Sequence, residues 1–340
     1  MRRARQKGII MRIIVYGVGA IGGTVAAALS HSGHEVIGIA RGSHLEAIQA
    51  NGLLLRTPET SLRAQLRCVS DPSEIQFRPD DAILLTMKTQ DTLAALERLR
   101  AAGISEQPIF CVQNGVTNEL LALRRFKEVH GVTVMMPASI SAPGEVGAFA
   151  APRHGIFDIG LFPSGSNGHD ERLAQCLEAA NIAAFVRPDV MKSKYGKLLL
   201  NLSNILQAAL GLDADYKHLE SLLRSEAEAA FTAAGIAWLD VGAADARRDE
   251  LMRSRPIPGI ERSGGSTMQS LERGAGSVET DYLNGEVVLL GRLHGVPTPA
   301  NAYFTELGAR MVREKLKPGD ISVPQVEEEL AALGAVVPAS

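Results

Sequence analysis

Short runs of apolar, largely β-branched residues alternate with helix-period stretches through the first half of the chain. Ile13-Ile14-Val15-Tyr16, Val36-Ile37-Gly38-Ile39-Ala40, Ala82–Leu85 and Ile109–Val112 read as strands with no polar alternation. Such strands are buried on both faces, which implies a parallel sheet covered by helices on each side. The alanine-rich stretch ending at Ser30 and the stretch from Asp91 to Ala102 read as two of those helices. From Val132 to Leu161 short extended pieces alternate with Gly and Pro, predicting antiparallel strands at the sheet edge. After Pro188 the pattern turns helical, with long Leu/Ala-rich stretches at 190–211, 217–234 and 278–294. The segment 254–266 is rich in Ser, Gly and Pro and reads as a loop. The expected fold is α/β: an N-terminal Rossmann-type doubly wound sheet over residues 1–187, then a C-terminal all-helical domain over 188–330.

Composition narrows the classes of function. The chain has 340 residues, 46% apolar and 21% charged, with a formal net charge of −3. That balance supports a large core and offers no electrostatic footprint for nucleic acid or a membrane surface. No run of 18 uncharged apolar residues exists, so no membrane span is expected. The basic start (Arg2, Arg3, Arg5, Lys7) lacks the apolar core of a signal peptide, and residues 1–10 are expected to be a tail. Cys68, Cys111 and Cys176 are odd in number and far apart, which implies neither a disulfide framework nor a zinc site and points to a reducing cytoplasm. No metal site is expected: His31 and His34 read as helix-end residues with no third ligand nearby, and Glu226–Glu228 as a solvated helix face. Pairing with a second copy as a homodimer is open at this stage.

The first chemical signal is Gly17-Val18-Gly19-Ala20-Ile21-Gly22, which follows a strand and opens a helix. In that setting the first glycine permits a tight turn, the second lets a pyrophosphate approach the backbone, and the third lets helix and strand pack closely. The helix N-terminus offers free N–H groups and a positive dipole end to the phosphates. At the end of the second strand, Ala40-Arg41-Gly42-Ser43 lacks the acid that reads the ribose hydroxyls of NAD. Arg41 can instead bind a 2′-phosphate bidentately, so NADPH is the expected cofactor. Lys88 and Asn114 follow the carboxyl ends of their strands, where doubly wound folds place ligands, and can hold the ribose and nicotinamide end.

The second signal lies in the helical half. Lys197 and Asn201 are four residues apart and Asn204 follows three later, so on an α-helix the three share one face. Leu198, Leu199, Leu200 and Leu202 cover the other sides. A polar stripe on so apolar a helix needs polar partners, and a small oxo acid would supply them.

Taken in order, these segments resemble the ketopantoate reductase (2-dehydropantoate 2-reductase) family. The glycine motif and Arg41-Gly42-Ser43-His44-Leu45 carry the resemblance first, then Thr86-Met87-Lys88-Thr89 and Gln113-Asn114-Gly115. Lys194-Tyr195-Gly196-Lys197-Leu198 with Asn201, Glu279–Gly285, and Gly295-Val296-Pro297-Thr298-Pro299 complete it. The resemblance implies NADPH-dependent reduction of a branched 2-oxo acid, 2-dehydropantoate to (R)-pantoate in pantothenate biosynthesis. It implies Lys197 as general acid beside the developing alkoxide, with Lys194 its competitor. It further implies Asn201 and Asn204 on the substrate, Ser266 or Thr267 on the substrate carboxylate, and Gln113 with Asn114 on the cofactor. Glu279, at a helix start, would contact the cofactor or the active lysine. The segment Asn204-Ile205-Leu206-Gln207 departs from the family's usual Pro-Leu-Thr/Ser after the second asparagine. That departure keeps open a different 2-oxo acid as substrate, with a non-catalytic NADP-binding protein as the remoter alternative.

Overall fold

The computed structural model describes residues 11–261, 264–274 and 276–334. The expected tail at 1–10 lies outside the described residues. The strands are β1 (Arg12–Tyr16), β2 (Val36–Ile39), β3 (Leu53–Arg56), β4 (Ser61–Ala64), β5 (Arg67–Val69), β6 (Asp81–Leu85) and β7 (Ile109–Cys111). There follow β8 (Val129–Met135), β9 (Ala138–Ala142), β10 (Glu145–Ala148), β11 (Ala150–Pro152), β12 (Ile156–Leu161), β13 (Ala183–Val186) and β14 (Met252–Ser254). The α-helices are α1 (Ala20–His31), α2 (Gly42–Asn51), α3 (Thr89–Ala101), α4 (Asn118–Leu123), α5 (Gly168–Ala179), α6 (Val190–Asn201) and α7 (Asn204–Leu210). Then come α8 (Lys217–Ala233), α9 (Ala246–Leu251), α10 (Ser266–Glu272), α11 (Asn284–His294), α12 (Pro299–Glu314) and α13 (Val323–Ala332).

The chain divides into two compact units. The first holds the described residues through Gln113, with Asn118–Met191 and Asp245–Glu261. Its main sheet has the order β13-β12-β8-β7-β6-β1-β2-β5. All neighbours are parallel except β12 with β8, so this is the doubly wound sheet expected from the strand texture. Alternation along each strand feeds two cores. Ile13, Val15, Ala82 and Leu84 face one; Ile14, Ile83 and Leu85 face the other. The antiparallel expectation for 132–161 holds for β8 with β12 but not for the whole stretch. β9 and β10 join β3 and β4 in a separate four-stranded sheet. That sheet lies against α1, where a Cβ on Gly23 would stand 2.9 Å from Val146 Cγ1; only a bare backbone lets the helix come this close.

The second unit holds Asn114–Thr117, Lys192–Ala244 and the described residues after 261. Its elements are helical: most of α6, then α7, α8 and α10–α13. Residues 245–261, expected in the helical domain, belong instead to the first unit. The physical reason is pairing: β14 runs antiparallel to β11, and Arg247 bridges the buried Asp158 at 2.7 Å. Glu226, read from sequence as solvated, is buried. Its carboxylate accepts from the Ala300 and Asn301 N–H groups, each at 2.9 Å, and so caps the first turn of α12. No described helix is long and apolar enough to cross a membrane.

Candidate active site

In the first unit the glycine turn has the geometry that its spacing predicts. Gly17 has φ +105°, and a Cβ there would stand 2.6 Å from the Met87 N atom. A Cβ on Gly22 would collide with the Gly17 carbonyl and the Thr86 hydroxyl. At Gly19, by contrast, the nearest atom to an added Cβ is 3.9 Å away, so the space beside its backbone is open to a pyrophosphate. The Val18 N–H donates to the Ile39 carbonyl at 3.1 Å and holds the turn on β2. α1 begins at Ala20 and Ile21 with no side-chain cap and no acid in its first turn. Its leading N–H groups therefore suit an anion. Thr86, named in the sequence only as a neighbour of Lys88, donates its hydroxyl to the Tyr16 and Gly17 carbonyls at 3.0 and 2.8 Å and ties the turn to the end of β6.

Arg41 is the residue before α2, at the carboxyl end of β2. Its side chain is 75% exposed and pairs with Asp91 at 3.4 Å, also exposed. Such a pair holds the guanidinium weakly and leaves it able to receive a phosphate. Lys88 caps the start of α3 with extended backbone, three residues beyond β6. Gln113, expected to contact the cofactor, lies two residues beyond β7. It is buried, and its amide donates to Thr92 Oγ1 at 2.7 Å, in a network that runs on through Thr92 to Asn118. Asn114 and its neighbours through Thr117 group with the second unit. There Thr117 Oγ1 donates to Glu286 at 3.4 Å, and burial pushes the Glu286 carboxyl above its usual range.

In the second unit α6 ends at Asn201 and α7 begins at Asn204, so the lysine–asparagine stripe is carried by two helices rather than one. The break has visible causes. Ser203 Oγ donates back to the Leu200 carbonyl at 3.1 Å, and the buried Asn284 takes the Leu202 carbonyl at 3.3 Å. Lys197 is half-buried, whereas Lys194 is almost fully buried. Asn201 is 4% exposed, and its Oδ1 has no hydrogen-bond partner among the described residues. A buried carbonyl oxygen left so costs about 1–3 kcal/mol unless a ligand meets it.

Asn204 faces the start of α10. A Cβ on Gly265 would meet Gln207 Oε1 at 2.9 Å and Asn204 Oδ1 at 3.0 Å, and the Gly265 N–H donates to Gln207 Oε1 at 3.0 Å. Gly265 did not stand out in the sequence, where it looks like an ordinary loop residue, whereas Gln207 lies in the segment that departs from the family pattern. Ser266, next to this contact, is half-buried, while Thr267 is 2% exposed. Glu279 is buried and precedes a single 3-10 turn, Thr280–Tyr282, before α11 starts. The expected helix from 278 is therefore interrupted.

Residues 13–164 match the family described as ketopantoate reductase PanE/ApbA, and residues 189–311 match ketopantoate reductase PanE/ApbA C terminal. The chain is 29% identical over 307 residues to a 2-dehydropantoate 2-reductase of Caulobacter vibrioides, covering 87% of this chain and 97% of that one. It is 29% identical to another of Mesorhizobium japonicum, covering 90% and 99%. A solved PanE/ApbA family ketopantoate reductase from Ralstonia eutropha is 30% identical, with TM-score 0.75 and coverage of 90% and 99%. The fold is also shared with a D-mandelate dehydrogenase solved with NADH and anilino(oxo)acetate, at TM-score 0.75, 22% identity and the same coverage.

Proposed function

The chain belongs to the ketopantoate reductase family, and from that premise we propose that it reduces 2-dehydropantoate to pantoate with NADPH. The observation that carries this reading is Asn201: a buried side-chain oxygen with no hydrogen-bond partner among the described residues, one helical turn from Lys197. A small polar ligand satisfies that atom, and a 2-oxo acid has the matching groups. Gly17 to Gly22, Arg41, Lys88 and Asn114 would hold the dinucleotide, which supplies a hydride when bound. Lys197 holds a proton at the substrate carbonyl oxygen and stabilises the charge that develops there. Asn201 and Asn204 orient the substrate. Ser266 binds its carboxylate, Thr267 being the alternative hydroxyl, and Glu279 supports the lysine or the cofactor.

The test is NADPH oxidation across a panel of 2-oxo acids. The highest kcat/KM with 2-dehydropantoate supports the reading, and a higher value for another acid displaces it. One observation favours that second reading: Gln207, in the segment that departs from the family pattern, takes the Gly265 N–H beside Ser266. Three buried cysteines far apart in the sequence support a reducing, cytoplasmic setting. Leu289 and Leu293, 47% and 68% exposed and one turn apart on α11, support a homodimer, which sedimentation tests.

A further inference from the structure

The first unit contains a cluster of side chains that the proposed reaction does not use. Glu128 immediately precedes β8 and His130 lies within it; His169 and Asp170 are in the first turn of α5. Glu128 Oε1 is 3.1 Å from His130 Nε2 and 2.6 Å from His169 Nδ1. These three ligand atoms all lie within 4.8 Å of one another. Asn167 Nδ2 donates to the same Glu128 oxygen at 2.8 Å. On the other side of the ring, His130 Nδ1 is 2.6 Å from Asp170 Oδ1, and both side chains are fully buried. The His130 ring is stacked on Phe110 at 4.3 Å, which fixes its plane.

Each ring nitrogen of His130 thus faces a carboxylate oxygen, and an acceptor on both sides requires a proton or a cation at both nitrogens. Two protons would make a buried imidazolium. A metal ion at Nε2 meets the same requirement with a neutral ring: Nδ1–H donates to Asp170, fixes the tautomer and leaves the Nε2 lone pair as ligand. Two imidazoles and one carboxylate form the donor set that suits zinc and neighbouring first-row divalent ions. Around a tetrahedral zinc, bonds of roughly 2.0–2.2 Å set ligand atoms about 3.3 Å apart. The 3.1 and 2.6 Å separations lie within ~1 Å of that spacing. His169 is 32% exposed, which gives an ion an entry path and leaves room for water as a fourth ligand. The positive end of α5 opposes a cation, but Asp170 and Glu171 in its first turn offset it.

We propose that Glu128, His130 and His169 form a zinc-type divalent metal site, with Asp170 orienting His130, that ties the start of α5 to the amino edge of the sheet. β8 runs parallel to β7, β6 and β1, so this site is at the edge opposite the glycine turn. Its role is to hold the first unit together, not to take part in the reduction.

The full-length protein, stripped with chelator, is titrated with zinc by calorimetry, loaded separately with cobalt for its d–d absorption, and melted with and without zinc. One equivalent bound per chain, a four- or five-coordinate cobalt spectrum and a zinc-dependent rise in Tm are expected. His169→Ala changes a partly exposed side chain and is expected to keep its circular dichroism while binding zinc at least ~10-fold more weakly, the scale that even outer-shell losses reach. Glu128→Gln is expected to do the same. Less than one equivalent in the wild type, or an equivalent that survives His169→Ala, overturns the proposal.

Discussion

Arg41 and Asp81 show how differently two charged residues at strand ends can behave. Arg41 is exposed and loosely paired, so its removal should leave the fold intact and act only on ligand choice. Arg41→Ala is expected to lower the ratio of kcat/KM for NADPH over NADH by at least about 10-fold, the worth of one charge-assisted phosphate contact. An unchanged ratio in steady-state assays with both nucleotides would show that the 2′-phosphate is read elsewhere. Asp81 is fully buried and holds Arg12, itself 5% exposed, through bonds of 2.5 and 2.7 Å. Asp81→Ala takes the close carboxylate from that buried guanidinium and leaves it the Gln76 carbonyl at 2.8 Å and Glu35 at 3.8 Å, and denaturant unfolding should show a loss of about 3 kcal/mol. The place of Arg41 just after a strand was legible in the sequence. The bond from Gln113 to Thr92 was not, because Thr92 is on a helix twenty-one residues upstream.

At the scale of elements, strands and helices announced themselves through apolar periodicity, whereas their interruptions did not. The gap between α6 and α7 depends on Asn284, which reaches the Leu202 carbonyl from 82 positions away. The cap that Glu226 places on α12 is equally remote, and only tertiary contact distinguishes it from a solvated acid. The metal-type cluster joins Glu128 and His130 to His169, 41 and 39 positions along, so no ligand spacing is visible locally. Glu226→Ala orphans the Ala300 and Asn301 N–H groups and should reduce stability by about 1–3 kcal/mol. Burial raises the Glu226 pKa despite the N–H groups of Asn301 and Ala300 and the Asn301 amide, which favour the ionised form. A raised folded pKa means that the linked stability is full below the ordinary glutamate range and declines as pH rises through the folded value. The wild type should therefore exceed Glu226→Ala by more near pH 4 than near pH 7, as chemical melts at each pH would show. A difference that widens with pH would reverse the sign of that linkage.

For the whole molecule, the doubly wound sheet, the helical second half and the tight glycine turn were readable because each rests on local patterns in the right order. The return of residues 245–261 to the first unit was not, since β14 finds its partner β11 about a hundred residues back. The chemistry assigned to the molecule converges on Lys197 as proton donor, with the dinucleotide held by other residues. Lys197→Ala should then leave nucleotide affinity intact and slow the chemical step. The direct measurement is single-turnover oxidation of bound NADPH by 2-dehydropantoate, with NADPH binding followed separately by fluorescence. The account predicts a rate about 10²–10⁴-fold below wild type with an NADPH Kd changed by less than about 2-fold. A wild-type rate in that variant would contradict it.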